Sequence, residues 1–380
     1  MLSHRHLAVR ILWGLTMIAI FLSACAPAEA LITPTVLATS SPVNTKTPLP
    51  TASATATTIP TPRTPPALPE PFQNSSLTPF GSPHTYIQDQ CQYLQDKWSS
   101  KNSPPGTVVM TIMFHSISDG PDSTPNAISE FGLRTLMNKL HDEGFTAINT
   151  SQMADFMEHN AKIPERSVLL VVDDRHFAQY FNRYFLEYWT KYGWPVVNAW
   201  ISLNDSNGAA ALPDNITLEN EGWVDHQAHG FIHNIPISPD STEEFILGEL
   251  QKPIVVFQEN FHKTPIAVIW PGGGFTPHAA EVARQLGYRL GFTTNPRGPV
   301  MFNWVPLADQ VDTERLSWIP EGLVNNPLMV LPRYWDSDAI KHIDEVIQVG
   351  QEASAYAGQN KGVEMEYYDI VCKAQYGAIP

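Results

Sequence analysis

The most continuous apolar run in the folded part of the chain is Ser167-Val168-Leu169-Leu170-Val171-Val172, and Asp173-Asp174-Arg175-His176-Phe177 follows it at once. Five successive apolar residues, mostly β-branched, predict a strand buried on both faces, with two carboxylates where it leaves the core. Similar runs predict strands over 107–114 (ending at His115), 145–148, 195–201, 223–226, 266–270 and 289–293. Between them, apolar residues at helical spacing predict helices. One covers about 129–143, with Phe131, Leu133, Leu136, Met137 and Leu140 on its inner side; another carries Met153, Phe156 and Met157. Three more cover 177–192 (ended by Gly193), 242–260 (bent at Pro253) and 277–286, while a polar loop is expected from 202 to about 221.

Strand and helix alternate throughout, which predicts an α/β fold with a parallel sheet wrapped by helices. The span 107–335 suits a (β/α) barrel, where catalytic groups sit at the C-terminal ends of strands. His115, Asp173, Asp174 and Pro271 all fall at such ends. A lead-in helix over 86–98 opens the segment 81–106, and 336–380 forms a C-terminal extension beginning with Ile340, Ile343 and Ile347 at helical spacing.

The first 80 residues follow other rules. Residues 1–25 carry His4, His6 and Arg10, then an apolar run over 11–22, then Leu22-Ser23-Ala24-Cys25. The run is too short to span a membrane and has the layout of an export signal. The tetrad resembles a bacterial lipobox, which implies lipidation of Cys25 and a membrane anchor outside the cytoplasm; the alternatives are an ordinary cleaved signal or an uncleaved anchor. Residues 26–80 are Thr, Pro, Ala and Ser with few large apolar side chains, so they are expected to form a disordered stalk. With Cys25 assigned to lipid, Cys91 and Cys372 remain, either as a disulfide tying the two ends of the domain or as two free thiols.

The 380 residues carry a formal net charge of -15, which argues against nucleic acid as a partner. The chemistry concentrates in Asp225-His226-Gln227-Ala228-His229-Gly230-Phe231-Ile232-His233. His229 and His233, four apart, would face the same way on a helical turn and could hold one metal ion; His226 and His229 form a competing pair. One carboxylate with two histidines makes a catalytic zinc set, and the second carboxylate is then free to act as a base. Without the histidines, the Asp pair would read simply as a loop start and helix cap.

The ordered set of strand-Asp-Asp, His-x-x-x-His and strand-Pro-x-Gly resembles the polysaccharide deacetylases of the NodB-homology superfamily, carbohydrate esterase family 4. Val109-Met110-Thr111-Ile112-Met113-Phe114-His115-Ser116-Ile117-Ser118 is similar to the opening of the subgroup acting on poly-N-acetylglucosamine. The resemblance implies a distorted (β/α) barrel and hydrolysis of acetyl groups on a surface or wall polysaccharide. It implies Asp173 as general base, Asp174, His229 and His233 as ligands of a divalent metal (zinc foremost), and Pro271 and Gly272 as a wall of the substrate groove. Trp270, His115 and Arg175 are the further substrate-side candidates.

Three departures stand out. Arg175 replaces the family's glycine beside the base, Gly230 replaces a Ser or Thr in the histidine motif, and Ile269 stands where an arginine is expected, leaving Arg333 as the candidate substitute. No Leu-x-His follows downstream to supply the general acid. The rival reading is a non-catalytic glycan-binding lipoprotein on a degenerate form of the fold.

Overall fold

In a computed structural model, the structure describes residues 63–78, 80–120, 127–232, 235–313 and 318–380. Cys25, most of the expected stalk and His233 lie outside the described residues. A parallel sheet runs in the order Leu290–Phe292, Ala267–Ile269, Val224–Ala228, Val196–Trp200, Arg166–Val172, Val108–Phe114 and Tyr334–Trp335, with Thr146–Ala147 pairing beside Ser167–Val168.

The unbroken apolar run 168–172 follows from burial on both faces. Leu169 and Val171 join one cluster with Met153, Phe156, Leu250 and Trp270, while Val168, Leu170 and Val172 join another with Leu136, Phe181 and Ile343. Period-2 side-chain alternation thus feeds two cores from one strand. The sheet curls because residues 331–335 reach both its edges: Leu331 bridges Phe292, and Tyr334–Trp335 pairs with Ile112 and Met113. The parallel sheet that the alternation of strands and helices predicts is thus present, curled into a half-barrel.

Several expectations are corrected. The polar stretch after residue 202 is a helix, Ser206–Glu221, capped by the Asp205 side chain and seeded by Ala209-Ala210-Ala211-Leu212; it buries too little to show a strong apolar stripe. The aromatic helix after Asp174 is two, Ala178–Tyr184 and Leu186–Tyr192, broken at Phe185. Phe131 is 81% exposed, because the inner face of Glu130–Asp142 is set by Leu133, Leu136, Met137 and Leu140.

The termini are tied together. Gly81–His84 pairs antiparallel with Val305–Ala308, and the lead-in helix is Gln90–Trp98, capped by Asp89. Cys91 and Cys372 form a disulfide with Cα atoms 5.3 Å apart. The packed chain also starts earlier than residue 80. Phe72 packs on Trp304 and Tyr356, Trp304 Nε1 donates to Phe72 O at 2.9 Å, and Asn74 donates to Glu352 on the long helix Asp336–Tyr367. Aromatic burial at Phe72 overrides the stalk-like composition around it. Among the described residues, no helix is long and apolar enough to cross a membrane.

Candidate active site

Four strand ends and the 331–335 bridge converge on Asp173. Its amide donates to Phe114 O at 2.7 Å, which extends the pairing of the two central strands by one residue and fixes the carboxylate at the sheet's end. The side chain is 2% exposed. Such a group needs a partner, and Arg333 supplies it: Nη1 donates to Oδ1 at 2.6 Å and Nη2 to Oδ2 at 2.9 Å. Arg333, 0% exposed, is itself held by Nε donating to Thr293 O at 2.7 Å. Burial pushes the Asp173 carboxyl up, but the Arg333 charge and hydrogen bonds, helped by His229 and His115, outweigh it and hold the pKa at about 2. Asp173 is therefore ionised across the neutral range.

Asp174 follows in the left-handed region, φ 60, so that its carboxylate turns toward the Val224–Ala228 strand end. There its Oδ1 lies 3.7 Å from His229 Nε2. His229 Nδ1 is 2.8 Å from Ile269 O; a carbonyl only accepts, so Nδ1 carries a proton and Nε2 is the nitrogen turned toward Asp174. Burial lowers the proton affinity of His229, but Asp174 and Asp173 together raise it above the ordinary value, while Asp174 is held below the usual carboxylate range.

The chemistry of this pair suits a divalent metal, since a carbonyl behind a ligating imidazole is the usual outer partner of such sites. Its 3.7 Å separation is slightly wider than the roughly 3–3.5 Å of two donors on one ion, and among the described residues no three His, Cys, Asp or Glu side chains gather to hold one. His233, the third expected ligand, lies outside the described residues. His229 is not on a helical turn: it ends a strand, and Gly230 follows at φ 68. The competing His226 points away. It is fully buried, with Nδ1 2.9 Å from Glu219 and Nε2 3.0 Å from Asn215 Oδ1, and stacks on Phe261.

His115 completes the cluster. Its Nε2 lies 3.7 Å from Asp173 Oδ2, and its ring stacks on Trp335, centroids 5.4 Å apart. Burial lowers its proton affinity despite the nearby carboxylates. Pro271–Gly273 forms a 3-10 turn beside the site, with Pro271 buried and Gly272 exposed at φ 58.

Two expected substrate residues are corrected. Trp270 is 0% exposed, with Nε1 donating to Met329 O at 2.7 Å, so it is core and offers no face to a sugar. Arg175 is a staple: it donates to Ile201 O, Leu203 O and Asp205 Oδ1 and lies over Trp200, away from Asp173. The cation beside Asp173 is Arg333, 160 residues away in sequence. Sequence reasoning missed the part played by Trp335, whose signal is its place two residues after Arg333. It also missed His176, a half-buried imidazole stacked on Tyr180 at 4.0 Å whose buried Nε2 has no partner among the described residues.

A curled parallel sheet with an Asp pair, an arginine and imidazoles gathered at the C-terminal strand ends defines an α/β-barrel domain with its site where that class builds it. Residues 160–291 match the family model for polysaccharide deacetylase. A putative polysaccharide deacetylase of Bacillus subtilis, YxkH, is 22% identical over 187 residues, 49% of this chain and 64% of that protein, so the match spans less than two thirds of the relative. Among solved structures, the Streptococcus pyogenes deacetylase PplD in complex with acetate is similar at 19% identity and a TM-score of 0.50, over 63% of this chain and 98% of that one. IcaB from Ammonifex degensii is 15% identical with a TM-score of 0.46, over 65% and 97%. Residues 160–291 thus carry the polysaccharide deacetylase pattern, and the curled sheet around them is a fold shared with the similar solved deacetylase structure.

Proposed function

We propose that this chain is a metal-dependent deacetylase of an acetylated, N-acetylglucosamine-type polysaccharide, acting outside the cytoplasm and tethered to a membrane through Cys25. The observation that carries the reading is the buried Asp173, held ionised by Arg333 between His115 and the Asp174–His229 pair. Asp174 and His229, with His233, would hold the ion. A divalent cation, zinc foremost, supplies Lewis acidity and eases the ionisation of water when bound.

The proton work belongs to the protein. Asp173 takes a proton from the attacking water as the new C–O bond forms at the acetyl carbon. Arg333 keeps both carboxylate oxygens in place while this happens. As the C–N bond breaks, the leaving amine needs a proton, and His115, 3.7 Å from Asp173, stands where one can be passed on to it. His115 thus fills the role for which the downstream sequence has no Leu-x-His, and the Trp335 ring holds the imidazole in plane. A disulfide between Cys91 and Cys372, together with the export-signal layout of residues 1–25, supports a location in an oxidising compartment.

The test is zinc content together with acetate release from N-acetylglucosamine oligomers. Asp174→Ala and His229→Ala should lose the metal; unchanged metal would remove them as ligands. Asp173→Asn should keep the metal and lose about 10²–10⁴ in rate. Bound zinc without acetate release from any acetylated glycan would favour the non-catalytic, glycan-binding reading.

A further inference from the structure

The loop that leaves His229 turns through Gly230, and its next two amides converge on one carboxylate. Phe231 N donates to Glu249 Oε2 at 2.8 Å, and Ile232 N lies 3.2 Å from both Glu249 oxygens. Glu249 belongs to the helix Glu243–Asn260, is 2% exposed, and spends its hydrogen bonds on backbone amides. Burying a carboxylate is costly unless strong donors compensate, and here the donors belong to the loop directly after His229.

The surroundings leave that loop little freedom. A Cβ at position 230 would stand 2.5 Å from Glu249 Oε2 and 2.7 Å from Pro271 Cγ, so the glycine is required both by φ 68 and by space. Lys252, on the same helix, holds its ammonium 4.8 Å from the Phe231 ring centre. On the strand side, the His229 ring is fixed by Ile269 O. Residues 230–232 are therefore gripped between a helix and the Pro271–Gly273 turn, with the Glu249 carboxylate as the directional contact.

We infer that Glu249 is a positioning residue of the metal centre, its carboxylate clamping the loop backbone that leaves His229. It does through two main-chain amides what a hydroxyl at position 230, absent here, could do from within the loop. The inference rests on the metal-site reading above. Outer-shell partners of metal ligands typically contribute 10–100-fold to affinity by limiting what must be ordered on binding.

Zinc affinity is measured on the full chain by competition with a chromogenic chelator, for the unaltered protein, Glu249→Gln and Glu249→Ala, beside thermal unfolding of each metal-free form. Glu249→Ala should bind zinc about 10–100-fold more weakly, and Glu249→Gln, which keeps one acceptor but turns a donor toward the second amide, should fall between. A lower metal-free midpoint with zinc affinity unchanged would mean a merely structural role and overturn the inference. Zinc held equally by all three proteins overturns the clamp alone; no zinc in the unaltered protein overturns the metal site and the clamp with it. Should Glu249→Ala not fold, Glu249→Gln decides by the same criterion.

Discussion

The two ends of the Val108–Phe114 strand are built on different physics. At its C-terminal end, His115 faces the buried Asp173–Arg333 ion pair and the half-buried Asp174 beside His229. At its N-terminal end, about 20 Å away at the usual strand rise, Thr107 borders a cavity of about 250 Å³ lined by Phe72, Tyr93, Phe302, Trp304 and Tyr356. Residues 68–72 line that cavity, near the Cys91–Cys372 disulfide. A cavity with aromatic lining is a usual mark of a ligand site, yet the titratable groups that could carry chemistry gather at the opposite end of the strand. The comparison also implies that the N-terminal end can be weakened without touching the chemistry, whereas at the C-terminal end stability and chemistry rest on the same groups, and substitutions can break or sharpen that claim.

The largest effect is expected at Arg333. Arg333→Met leaves Asp173 buried with no cation, and breaking such a pair from one side costs about 3–5 kcal/mol. The urea midpoint should fall accordingly, and acetate release should fall by more than the loss of folded protein explains, because the base loses its orientation. Arg333→Lys should recover little, since a lysine cannot reproduce two parallel N–H donors. Full stability in Arg333→Met would show that the charge balance at this end is not what holds it.

How far this site could be read in the sequence depends on which signals are local. The run 168–172 with Asp173 and Asp174 behind it was legible because burial on both faces leaves a continuous apolar signature. His229 was legible from the density of histidines, yet its geometry was not: i, i+4 spacing suggested a helix, whereas a strand end and a left-handed glycine set its direction. Arg333 could be named only as a substitute, because its contact with Asp173 depends on the 331–335 segment bridging the sheet edges. Trp270 and Arg175 misled because motif proximity says nothing about which way a side chain points. The helix Ser206–Glu221 was hidden by low apolar content, and Phe72 by the proline-rich residues around it.

A smaller effect is expected at the other end. Replacing Cys91 and Cys372 together by serine removes a cross-link between residues 281 apart in sequence, and loss of a native disulfide typically costs about 2–5 kcal/mol. Denaturant unfolding should register it, while zinc content and rate per folded molecule stay unchanged. A proportionate fall in zinc affinity would show that the two ends are coupled and break the separation drawn above.

The smallest effect probes the buried histidine that the site does not use. Burial holds the His226 pKa below its ordinary value, with the Glu219 hydrogen bond opposing this and Lys263 reinforcing it. The unfolded chain therefore binds a proton at this residue before the folded one does, so stability is fully present above about pH 6.5 and is lost as the pH falls through the folded pKa. One such proton gives a slope of at most about 1.4 kcal/mol per pH unit. Urea midpoints measured between about pH 7.5 and 5.5 should fall with pH in the unaltered protein and fall less steeply in His226→Gln, whose amide can still meet Asn215 and Glu219 but cannot titrate. Equal slopes would mean that His226 takes up its proton in the folded state as readily as in the unfolded one, and that the Glu219 carboxylate, 2.9 Å away, compensates its burial in full.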